Sequence, residues 1–158
     1  MGAKIKIKKT KIKCGEEIGN ITAEYSKMKG TKISSSFSPF LIDEYPILAI
    51  VATQAKGKTV MKGLGELRHK ESDRINSIVS NLKKIGYEAY SKKDDIHIKG
   101  KNLNFNKMKK IKTFGDHRIA MSFNILNILL NNKIIIDNQN CILTSYPQFH
   151  KHLKKLLK

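Results

Sequence analysis

The sequence predicts an α/β fold assembled from βαβαββ repeats, on three observations. From Ile21 the pattern runs strand, helix, strand, helix and then a two-strand hairpin. After Gly100 the order strand, helix, strand, helix begins again. The opening Gly2-Ala-Lys-Ile-Lys-Ile-Lys is similar, in kind and place, to Gly86-Tyr-Glu-Ala-Tyr-Ser-Lys at the start of that hairpin. The chain therefore reads as one whole unit over about residues 20–100 with a partial unit on either side, a piece of a longer array. The competing reading is coincidence in a lysine- and isoleucine-rich sequence.

Each element has its own signal. Residues 4–13 alternate apolar residues with lysine, the period of a half-buried strand or hairpin. Residues 21–26 and 33–37 are short strands. Residues 46–55 are apolar and begin with proline, whose missing N–H is no loss in a first helical turn. Residues 59–62 form a strand between glycines. Residues 70–85 are the clearest helix: Ile75, Ile78, Val79, Leu82 and Ile85 keep three-four spacing, and Gly86 supplies the stop. Residues 87–91 and 96–99 make a hairpin around Lys93-Asp94-Asp95. Residues 117–130 are apolar nearly all round, as a buried helix is. Residues 133–137 are a strand, and 147–157 a final amphipathic helix.

At 158 residues and 40% hydrophobic, the chain is one ordinary domain or part of a larger one, with enough apolar side chains for a core. Its formal net charge of +18 fits either an anionic partner or a lysine-biased composition on a solvated surface. The lysines are spread along strands and helices without an aromatic-basic ladder, which favours the second reading, so neither nucleic acid nor a membrane is expected as a partner. Cys14 and Cys141 stand far apart with no C-x-x-C, so neither a zinc site nor a redox motif is supported. No apolar run approaches the roughly 20 residues of a membrane span, no signal-peptide core opens the chain, and a cytoplasmic location is expected.

Arginine is the rare cation. Of 31 Lys and Arg residues only Arg68, Arg74 and Arg118 are arginine, and all three fall inside Glu66-Leu-Arg-His-Lys-Glu-Ser-Asp-Arg74 and Gly115-Asp-His-Arg118. A guanidinium grips carboxylate or phosphate through two parallel hydrogen bonds, as lysine does not. On the predicted helix 70–85, Glu71 falls on the apolar stripe and Arg74 at its margin, at a helix N-terminus suited to an anion. An internal Glu71–Arg74 pair closing the helix end is the alternative. Arg118 opens an apolar helix, which is costly unless its charge is met. Asp116 reads more simply as an N-cap than as a catalyst. His117 is a proton donor, an anion ligand or a packed histidine. In Leu41-Ile-Asp43-Glu44-Tyr-Pro46, Asp43 is a cap or a base. As a base, Asp43 divides proton removal and delivery with Glu71.

These residues resemble the 5-enolpyruvylshikimate-3-phosphate synthase family. The likeness runs from Met1-Gly-Ala through Ile42-Asp-Glu-Tyr-Pro and both arginine motifs to Ser145-Tyr-Pro, essentially the whole chain. It implies the family's inside-out α/β barrel lobe, built from βαβαββ units and here incomplete: a C-terminal fragment without the N-terminal lobe. It implies transfer of the enolpyruvyl group from phosphoenolpyruvate to the 5-hydroxyl of shikimate 3-phosphate, with loss of phosphate and no metal or cofactor. By the resemblance, Asp43 is the proton acceptor, Glu71 the proton donor and Lys70 a shikimate-phosphate ligand. Arg74 and Arg118 clamp phosphoenolpyruvate beside His117. Two departures stand out. The family's lysine before the Ser/Thr-aromatic-Pro turn is replaced within Ile142-Leu143-Thr144, and Glu66 stands where some members have asparagine. The fragment alone is expected to be inactive. A basic nucleic-acid-binding module and a non-catalytic remnant are the rival readings.

Overall fold

An apolar face on a β-hairpin has to be covered by another layer, and the chain's two hairpins meet that requirement differently. The structure, a computed structural model, describes residues 1–103, 107–131 and 133–157. Strands β1 (Lys4–Lys13) and β2 (Glu16–Glu24) pair antiparallel around Cys14-Gly15, which adopt the positive φ angles of 51° and 80° that a tight hairpin turn requires. The alternation read from the sequence is there, but the expected half-burial is not. Every residue of both strands is exposed, including the cross-strand partners Ile7 (67%) and Ile21 (71%). Ile21 also lies inside a strand that begins at Glu16, so the βαβαββ order starts later than the sequence suggests, at β3 (Lys32–Ile33). The predicted strand 33–37 stops there. Ser34 turns the chain by accepting the Ser36 amide, and Pro39 opens the short α1 (Ser38–Leu41).

The whole unit follows. Helix α2 (Tyr45–Gln54) leads to β4 (Lys58–Met61), a 3-10 turn over Gly65–His69, α3 (Arg74–Ile85), then β5 (Glu88–Lys92) and β6 (Asp95–Lys99). The sheet runs β3-β4-β6-β5, with β3 parallel to β4 and the other pairs antiparallel. One face packs on α2 and α3, which reduces Ala89, Ile96 and Ile98 to 2% exposure or less. Here the hairpin's apolar face is covered, as that of β1–β2 is not. After it come β7 (Lys109–Ile111), α4 (His117–Leu129), β8 (Ile134–Ile136) and α5 (Phe149–Leu156), with β7 parallel to β8. Helix α4 packs on α2 and carries Ile119, Phe123 and Leu126 into the same core, while Leu129 keeps half its surface in solvent, so it is not buried all round.

Local chemistry sets the ends of the two helices that matter most. Helix α3 begins at Arg74, not at residue 70, because extended Asp73 accepts the Asn76 amide as N-cap. It ends at Gly86, at φ 120°, where the amides of Gly86 and Tyr87 both return to Leu82. Lys70 and Glu71 therefore sit on the loop before the helix and not on its apolar stripe. Helix α4 is capped by Asp116, whose Oδ1 accepts the Arg118 and Ile119 amides at 2.9 and 3.4 Å.

Candidate active site

Three loops converge at one end of the helical layer. The turn between α1 and α2 carries Asp43, the loop before α3 carries Lys70 and Glu71, and the entrance of α4 carries Asp116, His117 and Arg118. At their centre lies Arg74, with a side chain only 1% exposed. Its Nε donates to Asp116 Oδ2 at 2.8 Å and its Nη2 reaches Asp116 Oδ1 at 3.5 Å, a side-on fork. Its Nη1 donates to Asp43 Oδ1 at 2.9 Å, and Nη2 also donates to Glu71 Oε2. A buried guanidinium is stable only when its charge and its donors are met together, and three carboxylates do this here.

Asp43 ties the site together. Arg74 and Lys70 approach its Oδ1 at 2.9 and 3.7 Å, Arg118 Nη2 approaches Oδ2 at 3.5 Å, and Arg118 Nη1 donates to its backbone carbonyl at 3.0 Å. Burial pushes this carboxyl upward, but the Arg74 hydrogen bond and the charges of Arg118, Lys70 and Arg74 outweigh it and hold the pKa below the ordinary 3.8. Asp43 is thus held in its ionised form. Glu71 is half exposed, bonded to Arg74 through Oε2, with His117 Nδ1 at 3.8 Å from Oε1. The two carboxylates stand on either side of one guanidinium. All six residues singled out from the sequence, Asp43, Lys70, Glu71, Arg74, His117 and Arg118, belong to this one network.

Sequence reasoning missed who holds the site in place. Asp116 reads as a cap and is one, yet it is completely buried, grips Arg74 and accepts the Ser72 hydroxyl at 3.1 Å. No local pattern reveals a partner 42 positions away. Arg68 grips internal carboxylates, not a ligand. Its Nε and Nη1 donate to Asp94 and Asp73 at 3.0 and 3.1 Å and its Nη2 to the Lys93 carbonyl, stapling the β5–β6 turn to the α3 cap. Asp137, at the end of β8, accepts both the amide and the hydroxyl of Thr113 at 2.9 Å and so fixes the turn into α4. Burial opposes its ionisation, but those bonds lower its pKa.

Two concavities flank the network. One of about 300 Å³ is walled by Asp43, Arg118 and the apolar side chains of α2 and α4. The other, of about 400 Å³, has Ser35, Ser38, Glu66 and Lys70 on its walls. Where the family has its lysine, a 3-10 turn over Asn140–Thr144 buries Ile142 and bonds the Thr144 hydroxyl to the Cys141 carbonyl, so Thr144 brings a neutral group. Among the described residues no group of three or more His, Cys, Asp or Glu side chains is placed to hold a metal ion, and no helix is long and apolar enough to cross a membrane.

Comparison with known proteins identifies the family. The family model described as EPSP synthase (3-phosphoshikimate 1-carboxyvinyltransferase) matches residues 1–153. Proteins named 3-phosphoshikimate 1-carboxyvinyltransferase from Sulfurihydrogenibium sp. and Petrotoga mobilis are each 43% identical, across 100% and 99% of this chain but 36% of their own length. A solved EPSP synthase from Acinetobacter baumannii superposes on 97% of this chain and 36% of its own, with a TM-score of 0.85 at 32% identity. The chain thus spans about a third of the length of the relatives it matches. By family match, sequence identity and shared fold, this chain belongs to the EPSP synthase family.

Proposed function

We propose that the described site is one wall of an enolpyruvyl-transfer centre acting on phosphoenolpyruvate and shikimate 3-phosphate, with the remaining part of the family's fold supplying the facing wall. One observation carries the reading: Asp43 is held between Arg74, Arg118 and Lys70 while Glu71 sits across Arg74 from it. Asp43 takes the proton of the attacking 5-hydroxyl. Glu71 delivers a proton to the methylene carbon of phosphoenolpyruvate and removes one again as the carbon–oxygen bond to phosphate breaks. Arg118 and Lys70 hold the anionic groups, with Arg118 and His117 on the phosphoenolpyruvate side and Lys70 on the shikimate-phosphate side. The outward edge of Arg74 is taken by Asp43 and Glu71, so a substrate anion reaches it by exchange with those carboxylates.

The test uses the chain by itself. Phosphoenolpyruvate titrated into labelled protein is expected to shift the side-chain signals of Arg118 and Lys70, and Arg118→Ala to abolish those shifts. With shikimate 3-phosphate added, no phosphate should be released above background, because the facing wall is lacking. Absence of any shift at Arg118 sinks the site assignment. Brisk phosphate release sinks the requirement for a second wall.

A further inference from the structure

The outer face of the four-stranded sheet carries a second concentration of charge, away from the arginine network. The register lays Lys32, Val60, His97 and Tyr90 in one row across β3, β4, β6 and β5. Lys58 and Lys62 lie two positions either side of Val60 and so share its face of the sheet. With Lys92 and Lys93 they border a concavity of about 540 Å³ floored by Val60 and His97. Among the described residues none of these five lysines forms an ion pair. Of the acidic groups nearby, Asp95 is the one carboxylate in the concavity's lining and accepts the Gly63 amide at 2.9 Å, and Glu88 pairs with Lys99. Lys58 instead donates to the neutral Tyr90 hydroxyl at 2.7 Å and lies over its ring.

His97 marks the floor. Its ring stacks on Tyr90 with centroids 4.6 Å apart, and both ring nitrogens are buried without a hydrogen-bond partner. Buried ring nitrogens are rarely left so, and in this sheet the groups around them are almost all cations. Burial lowers the pKa of His97, the charges of Lys58, Lys92 and Lys62 lower it further, and Asp95 alone opposes them. Around this concavity the cations outnumber the single carboxylate, Asp95, a setting that suits an anion.

From the five unpaired lysines around one concavity and the partnerless His97 beneath them, we infer that this sheet face binds an oligophosphate. A single phosphate meets one or two ammonium groups; a chain of phosphates meets lysines spread over β3, β4 and the β5–β6 turn at once. Lysine, a flexible point charge, suits such a run of phosphates better than the planar fork of arginine. The Tyr90 ring is stacked by His97 and its hydroxyl is engaged by Lys58, while among the described residues the lysines bordering the concavity make no ion pair, so the phosphate chain itself is the part recognised. That chain comes either as an inorganic polyphosphate or as the tail of a nucleotide.

Inorganic tripolyphosphate titrated into isotope-labelled protein tests the site. Saturable shifts are expected at the His97 ring and at Lys58. The double variant Lys58→Ala/Lys92→Ala should weaken binding roughly tenfold or more, the loss of two charge-assisted contacts. The variant Lys8→Ala/Lys11→Ala removes the same charge from the β1–β2 hairpin and should change affinity less than about twofold, as screened surface charges do. A parallel titration with adenosine triphosphate distinguishes the sources: equal affinity assigns the site to the inorganic chain, and clearly tighter binding assigns it to a nucleotide. Equal weakening by both double variants, or an unmoved His97 resonance, overturns the proposal.

Discussion

At the entrance of α3, Asp73 caps the helix and the arginine that follows is sealed inside the protein; at the entrance of α4, Asp116 caps the helix and Arg118, two residues on, keeps about a third of its side chain in solvent. The two motifs look alike in the sequence, an aspartate followed at once or nearly so by an arginine, and the structure divides their labour. Each buried charge is answered from the other motif. Asp116 of the α4 entrance neutralises Arg74 of the α3 entrance, and Asp43 from a third loop bridges both arginines. The buried arginine is held by Asp116, Asp43 and Glu71 together, whereas Arg118 is met, among the described residues, only by Asp43 and Glu44 and keeps part of its side chain in solvent. On the proposed reading, carboxylates already placed beside one partly exposed cation would give a site whose charge responds when substrate arrives.

The sharpest way to break this contrast is to remove the buried carboxylate. Asp116→Ala leaves a guanidinium that is 1% exposed without its side-on partner, and loss of one member of a buried pair costs about 3–5 kcal/mol. Arg118→Ala removes a partly exposed cation and should cost under about 1 kcal/mol. Urea denaturation of the two variants gives the comparison directly. Equal losses would mean that Arg118, too, is part of the framework.

How much of this was legible in the sequence follows from the range over which each signal acts. Helix α3 and its stop at Gly86 were readable because periodicity and a positive-φ glycine are local. The start of the same helix was misplaced by four residues because the apolar spacing continues past Asp73, and only the cap geometry shows where the helix begins. The strand alternation of residues 4–13 was readable, but whether a partner layer covers that face is a long-range fact, and among the described residues none covers β1. The six residues singled out in the sequence, which the structure brings into one network, stood out because lysine-for-arginine bias left the arginines conspicuous and because the motifs resemble a known family. The roles of Arg68, Asp116 and Asp137 stayed hidden. Their partners lie elsewhere in the chain, and a capping aspartate looks the same whether or not it also holds a buried charge.

Acidity offers a gentler probe of the exposed side. Asp43 has a folded pKa below its ordinary 3.8, so its contribution to stability is fully present above that value and is lost as pH falls through the folded pKa. In neutral solution the carboxylate is ionised, and the cations that hold it so also make it a weak base. Phosphoenolpyruvate that draws Arg118 and Lys70 onto itself removes part of that stabilisation, and the Asp43 pKa is expected to rise when the anion binds. Carbon-13 titration of the Asp43 carboxyl with and without phosphoenolpyruvate measures the change. An unchanged or lower value would mean that the cations stay with Asp43 and do not serve the substrate.

The smallest effect separates the two jobs of a capping aspartate. Asparagine caps a helix about as well as aspartate, so Asp→Asn keeps the cap and deletes the charge. At Asp73 the lost charge faces Arg68, which retains Asp94 and the Lys93 carbonyl and stands partly in solvent, so Asp73→Asn should change stability by less than about 1 kcal/mol. At Asp116 the same substitution keeps the α4 cap and leaves Arg74 one carboxylate short in a buried site, a far larger loss. The difference between the two asparagine variants is therefore the worth of one buried charge, with capping cancelled. If Asp73→Asn proved as damaging as Asp116→Asn, the α3 entrance would be held by charge as strictly as the α4 entrance, and the division between a framework arginine and a ligand-facing one would have no energetic basis.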